Sequence, residues 1–157
     1  MIARNMNGCR LPVLDGHGSP FECRDEVSRL LNEVYGYRQF RDLEIYKDLF
    51  GGKDKVVLSQ GHLVEHVIRE AEKAKDDRER PGKVLLTAPT GSGKSLLFQL
   101  PGIYLGQAYG LLTLIVSPLK ALIVDQVEGL QDLGYERVAY ASSDLSPEQK
   151  AEVYRRV

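Results

Sequence analysis

Cysteine is scarce. Cys9 and Cys23 are the only two, they stand far apart, and no CxxC pair exists. Reduced thiols in a cytoplasmic protein are the reading that fits. Long apolar runs are also missing: those present are short and interrupted, so no stretch spans a bilayer and no membrane partner is expected. The opening "MIARNMNGCRLPVLDGHG" has neither an apolar core nor a small-residue cleavage site, and so does not read as a signal peptide. An excess of one charge is absent too. Lys and Arg number 21 against 22 Asp and Glu, a formal net charge of −1. No global basic field draws in nucleic acid, so any such contact must be local. There is no internal repeat and no low-complexity tract. What remains is ordinary for a globular chain: 157 residues, 43% hydrophobic and 27% charged, enough for one modest domain with a real core.

Residues 1–22 carry Gly, Pro and Asn without periodicity and read as a loose arm. Residues 23–80 read as a helical segment. Val27, Leu30, Leu31 and Val34 form one stripe of a helix over Asp25 to Tyr35, stopped by Gly36. After "YRQFRDLEIYKDLF", Gly51-Gly52 breaks the chain. Ser59 is a plausible N-cap for "QGHLVEHVIREAEKAK", whose buried face is Leu63, Val64, Val67, Ile68, Ala71 and Ala74. "DDRERPG" is a charged, exposed turn. Residues 81–157 then alternate. "KVLLTA", "LLTLIVS" and "RVAYA" read as buried strands, and helices follow from Lys94, over "PLKALIVDQVEGLQDLG" up to Gly134, and over "SPEQKAEVYRRV". In the last, Ser146 caps, Pro147 takes the first position and Gln149 reaches back. The order β-α-β-α-β-α predicts an α/β fold with a parallel sheet flanked by helices.

"APTGSGKS" lies between a buried strand and a helix, the context a phosphate-binding loop requires. Gly91 and Gly93 let the backbone curl so that successive N–H groups face phosphate oxygens, and the N-terminus of the next helix adds favourable partial charge. Lys94 reaches the β and γ phosphates, and the Ser95 hydroxyl is placed to hold Mg²⁺. Ala88 replaces the usual first glycine, where a small Cβ is tolerable at negative φ. The nucleotide contacts are thus Pro89, Thr90, Gly91, Ser92, Gly93, Lys94 and Ser95, with Lys94 and Ser95 in the catalytic roles.

A phosphate loop serves many chemistries, and the flanks must decide. "APTGSGKSLLFQLPG", "TLIVSPLKALIVDQVEGL" and "YASSDLSPEQ" together resemble the RecQ-like branch of superfamily-two ATP-dependent DNA helicases. That family's PTGxGKS and Q-x-P are matched by Thr90, Gln99 and Pro101. Its SPLxxLxxDQ block is matched by Ser117, Pro118, Leu119, Leu122, Asp125 and Gln126. Upstream, "VYGYRQFRDLE" is similar to the family's base motif, F-G-Y-x-x-F-R-x-x-Q. The resemblance implies a RecA-like fold, ATP and Mg²⁺ as cofactors, and DNA as partner. It also implies that Tyr37 stacks on adenine and that Arg41 supports the base or sugar. Ser117, Lys120 and Ser143 would contact the DNA backbone, through hydroxyls, a helix N-terminus and one positive charge.

Glu44 stands where the family has its adenine-reading glutamine. An ionised carboxylate only accepts hydrogen bonds, whereas an amide also donates. Gln60 opens the helix before the loop strand, where that glutamine usually sits, so Gln60 is expected at the adenine edge and the motif reads as split by an insertion. "ALIVDQ" could be a strand ending in a magnesium aspartate, but its apolar residues repeat at helical spacing. "HLVEH" formally matches a zinc pattern through His62 and His66, yet no third ligand stands at a recognisable offset.

The family's second acidic block and second motor lobe do not appear before Val157, and three strands leave a raw edge. The chain therefore reads as the first, incomplete part of a motor lobe with an N-terminal helical extension, whose partners include the remainder of the helicase. The rivals are another P-loop ATPase or small-molecule kinase, a non-catalytic nucleic-acid-binding module, and a zinc hydrolase. The expectation is that these 157 residues alone release no phosphate from ATP above background, with or without single-stranded DNA; DNA-stimulated release would contradict it.

Overall fold

The computed structural model describes residues 22–46, 55–77, 84, 86 and 91–156. The sequence expectations for most of residues 1–22, for the "DDRERPG" turn after Asp77, and for Ala88, Pro89 and Thr90 fall outside these. The elements run α1 (Asp25–Tyr35), β1 (Asp42–Tyr46), β2 (Lys55–Ser59), α2 (Gln60–Asp77), α3 (Leu96–Tyr109), α4 (Lys120–Asp132) and α5 (Pro147–Arg156).

The helices form where periodicity places them. α1 buries Val27, Leu30 and Leu31, carries Asp25 and Glu26 at its positive end, and stops at Gly36, whose φ of 69° is left-handed. α2 starts after Ser59, whose Oγ accepts from the Gly61 N–H at 3.2 Å. Its Val64 and Ile68 are fully buried, with Leu63 and Ala71 packed beside them. α3 is apolar on nearly every side and buries Leu96, Leu97, Leu100, Pro101, Ile103 and Leu105. A helix of that composition belongs at the centre, and both α1 and α2 pack on it. In α5 the capping box is complete: Ser146 Oγ accepts from the Gln149 N–H at 3.2 Å, and Gln149 Oε1 accepts from the Ser146 N–H at 2.8 Å.

The sheet differs from expectation. Among the described residues the ladder is an antiparallel hairpin, β1 on β2, with Asp42 opposite Ser59 and Tyr46 opposite Lys55. Most of the first expected strand, "KVLLTA", lies outside the described residues, and the other two expected strands form no ladder among those described. Residues 111–117 pass back over α3, where a Cβ on Gly102 would come 3.1 Å from Thr113 Oγ1. Among the described residues they join no ladder, and Leu112, Leu114 and Val116 are exposed. Residues 137–141 likewise join no ladder among the described residues. An apolar run encodes a strand only when a neighbour accepts its hydrogen bonds, and no such neighbour stands among the described residues.

One ionic cluster braces the helices. The Glu65 carboxylate is 1% exposed. It accepts from Arg24 Nη2 at 2.8 Å, from Arg24 Nε at 3.0 Å and from Arg69 Nε at 2.8 Å. The same Arg24 reaches Glu72 at 2.6 Å and the Tyr104 hydroxyl at 2.9 Å, so the start of α1 is tied to α2 and α3. Burial pushes the Glu65 carboxyl upward, but the bonds from Arg24 and Arg69 outweigh it and hold it below its ordinary 4.5. Glu72 is lowered as well, first by Arg24. Lowered carboxylates contribute stability above the unfolded value and lose it as pH falls through the folded one. Burial pushes the half-buried Cys23 thiol up to about 11, which keeps it protonated and inert.

Arg24→Ala is expected to lower unfolding stability at pH 7 by about 3 kcal/mol, the lower end for a broken buried pair because Arg69 still reaches Glu65. The difference from wild type shrinks as pH falls below 4.5. Urea unfolding at both pH values checks this.

Candidate nucleotide and nucleic-acid site

The hairpin brings together two residues that lie far apart in sequence. Where β1 and β2 meet at their base, the Gln60 N–H donates to the Arg41 carbonyl at 2.8 Å, and Gln60 Oε1 accepts from the Arg41 N–H at 3.1 Å. The Gln60 side chain then continues to the phosphate loop: its Nε2 donates to the Ser92 carbonyl at 3.3 Å and the Gly93 carbonyl at 3.2 Å. Gln60 is 2% exposed, and its amide thus bonds through both nitrogen and oxygen inside the protein. The glycines beside it are demanded by space. A Cβ on Gly61 would lie 2.8 Å from the Phe40 ring, and one on Gly93 would lie 2.5 Å from Gln60 Nε2.

Of the loop, residues 91–95 are described. Gly91 and Gly93 sit at φ 81° and 79°, both left-handed. Ser92 Oγ is buried without a hydrogen-bond partner among the described residues. Lys94 and Ser95 are half-buried at the start of α3, with the Gln99 N–H bonded to the Ser95 carbonyl at 3.0 Å. Left-handed glycines, an unsatisfied hydroxyl, a lysine and a helix N-terminus form a donor set suited to a polyphosphate tail.

The base-motif residues lie alongside. Tyr37 is 48% exposed, with the Arg41 guanidinium 5.8 Å from its ring centroid and the Tyr35 ring 6.1 Å away at 16°. Glu44 takes no part here: it is exposed and paired to Lys55 at 2.9 Å.

The nucleic-acid candidates divide. Ser117 Oγ accepts from the Leu119 N–H at 3.4 Å, a local turn before α4. Lys120 and Ser143, on different segments, both meet Asp144. Asp125 lies on α4, a helix as its periodicity predicts. In "HLVEH", Glu65 is committed to Arg24 and Arg69, and His62 Nδ1 is buried without a partner among the described residues. Among the described residues no group of three or more His, Cys, Asp or Glu is arranged to hold a metal.

One connection was not anticipated from the sequence. Tyr35 donates to Gln99 Oε1 at 3.1 Å, and Gln99 Nε2 donates to Gln126 Oε1 at 2.8 Å, so α1, α3 and α4 are linked through side chains. A cleft of about 240 Å³ between α3 and α4 is lined by Ser95, Gln99, Asp125, Gln126 and Leu130, among others. The signal was Gln99, a glutamine set within the apolar first turns of α3.

Comparison with known proteins decides the family. Residues 62–157, more than half the chain, match the family model described as DEAD/DEAH box helicase. The chain belongs to that family. Its relatives are of RecQ type. It is 32% identical over 87% of its length to the ATP-dependent DNA helicase Q-like 5 of Arabidopsis thaliana, covering 11% of that protein. It is 30% identical over 84% of its length to the ATP-dependent DNA helicase RecQ of Synechocystis sp., covering 21% of it. It is 32% identical over 86% of its length to the ATP-dependent DNA helicase Q5 of Rattus norvegicus, covering 11% of it. The chain thus spans a minor part of each of these relatives. No solved structure matches it. Family membership implies a RecA-like P-loop fold and ATP as the bound nucleotide.

Gln60→Ala would leave the Arg41 N–H and the Ser92 and Gly93 carbonyls without this partner. The expected loss in ATP affinity is about tenfold, within the cost of unsatisfied buried groups, with a narrowed preference for ATP over GTP. Titration with a fluorescent analogue of each nucleotide checks both; unchanged affinity and selectivity would remove Gln60 from the site.

Proposed function

We propose that this chain is the ATP-binding part of the first motor lobe of an ATP-dependent DNA helicase, in which ATP hydrolysis drives movement on DNA or strand separation. The observation that carries the reading is the Gln60 amide, which joins the base motif at Arg41 to the phosphate loop at Ser92 and Gly93. A nucleotide is the ligand whose two ends such a joint would serve.

Each residue has a role in this reading. Gly91 and Gly93 let backbone N–H groups face the phosphates. Lys94 stabilises the charge that develops on the transferring phosphoryl group, and the Ser95 hydroxyl holds Mg²⁺, with Pro89, Thr90 and Ser92 completing the loop. Magnesium ATP supplies the phosphoanhydride and a metal that neutralises its tail. Tyr37 stacks on the base, Arg41 supports it, and Gln60 meets the adenine edge once bound nucleotide draws its amide nitrogen from the Ser92 and Gly93 carbonyls. Ser117, Lys120 and Ser143 hold the phosphates of one DNA strand. The parallel sheet belongs to the same reading: the exposed apolar run at 111–117 is the surface that neighbouring strands of a complete lobe would cover. The remainder of the helicase, including a second motor lobe, supplies the arginine that completes hydrolysis. No helix among the described residues is long and apolar enough to cross a membrane. A cytoplasmic location is part of the proposal.

In the full protein, Lys94→Ala is expected to cut DNA-stimulated ATP turnover by about 10²-fold or more. DNA binding without nucleotide should stay within about twofold, because Lys94 faces phosphate of ATP and not of DNA. Phosphate release and anisotropy of labelled single-stranded DNA measure the two. Turnover in wild type that ignores DNA would favour another kind of P-loop ATPase, and absence of nucleotide binding would favour a non-catalytic module.

A further inference from the structure

Lys120 opens α4, and Asp144 lies in the turn before α5. Lys120 Nζ meets Asp144 Oδ1 at 2.5 Å. The same oxygen accepts from Ser143 Oγ at 3.4 Å, while the Asp144 N–H is bonded to Ser142 Oγ at 3.2 Å, which fixes the turn. Two of the three groups assigned to the DNA strand thus converge on one carboxylate oxygen. A non-bridging phosphate oxygen offers the same chemistry: an anionic acceptor for one ammonium and one hydroxyl. Both side chains of the ion pair are well exposed, at 54% and 67%, so water and other anions reach it. Exposed pairs of this kind are weak and open to exchange.

We propose that Asp144 is an affinity-setting residue of the strand-binding surface: its carboxylate holds Lys120 and Ser143 where a DNA phosphate would, and it must give way before the strand is held. This rests on the reading of Lys120 and Ser143 as strand contacts. The consequence has an unusual sign, since removal of a hydrogen-bonding residue tightens binding. It also has a salt signature. While Asp144 competes, added salt weakens the internal pair together with the DNA contact, and the two effects partly cancel. With the carboxylate gone, the Lys120–phosphate contact counts in full, and the slope of log affinity against log salt steepens toward the roughly 0.7 expected per neutralised single-strand phosphate.

The test is fluorescence anisotropy of a labelled oligothymidylate with the full protein, without nucleotide, over a range of salt. Asp144→Asn is expected to tighten binding about three- to fivefold at low salt, the range open to a weak exposed pair, and to steepen the salt slope. Lys120→Ala should weaken binding, and Asp144→Asn should bring no tightening on that background. Glu148→Gln is the charge control. That carboxylate lies in the same segment but is bonded to Ser146, and its loss should change affinity less than twofold. If Lys120→Ala leaves affinity unchanged, the strand reading of Lys120 fails and the proposal falls with it. If Lys120→Ala weakens binding but Asp144→Asn does not tighten it, or if Glu148→Gln tightens it equally, the proposal alone is overturned.

Discussion

A primary amide carries two donors and one acceptor, and a buried one must satisfy them or destabilise the fold. Gln60 does so across three segments that share no secondary structure. Its oxygen takes the Arg41 N–H, and its nitrogen takes the Ser92 and Gly93 carbonyls. No isoelectric or isosteric residue does the same. A glutamate has no donor for the carbonyls, and a leucine of similar size has neither function. The left-handed glycines of the loop, the contact of Gly61 with Phe40 and the proximity of Tyr37 to Arg41 all stand in register because this side chain holds the loop at a fixed distance from the hairpin base.

That arrangement needs α2 itself to be held, and the ionic cluster around Glu65 does this. A carboxylate at 1% exposure is costly to bury, and its donors, three N–H groups of Arg24 and one of Arg69, make it tolerable. The geometry explains why the charge is kept: a planar guanidinium reaches two carboxylates and a phenol at once, while an apolar contact would let α2 slide along α3. Arg24 therefore contributes position as much as energy. It acts from the start of α1, outside the block that the family model covers.

The helices were legible because their determinants are local. Apolar spacing gave α1 and α2, and Ser146, Pro147 and Gln149 gave the start of α5. The left-handed glycines were legible from steric demands on the loop. The hairpin was not expected, although Gly51-Gly52 between two short apolar alternations is a recognisable turn signal. The neighbouring base motif drew attention to Glu44 as a failed glutamine rather than as a strand residue. The parallel strands stand differently, since no ladder joins them among the described residues. Strand propensity is intrinsic to "LLTLIVS", but a ladder is a property of two segments. Arg24, Gln99 and Gln126 were missed as structural links, since long-range side-chain pairs leave no periodic trace in one sequence.

The base of the hairpin has one more consequence. Closing a longer loop costs only a logarithmic increment, about 0.6 kcal/mol for each doubling. Because Arg41 and Gln60 clasp each other beneath β1 and β2, the chain above them is free to lengthen, shorten or change composition over evolutionary time while the residues below stay put. A pattern that insists on constant spacing between arginine and glutamine would overlook such descendants; one that allows a variable gap there, flanked by two strand-forming stretches, would recover them.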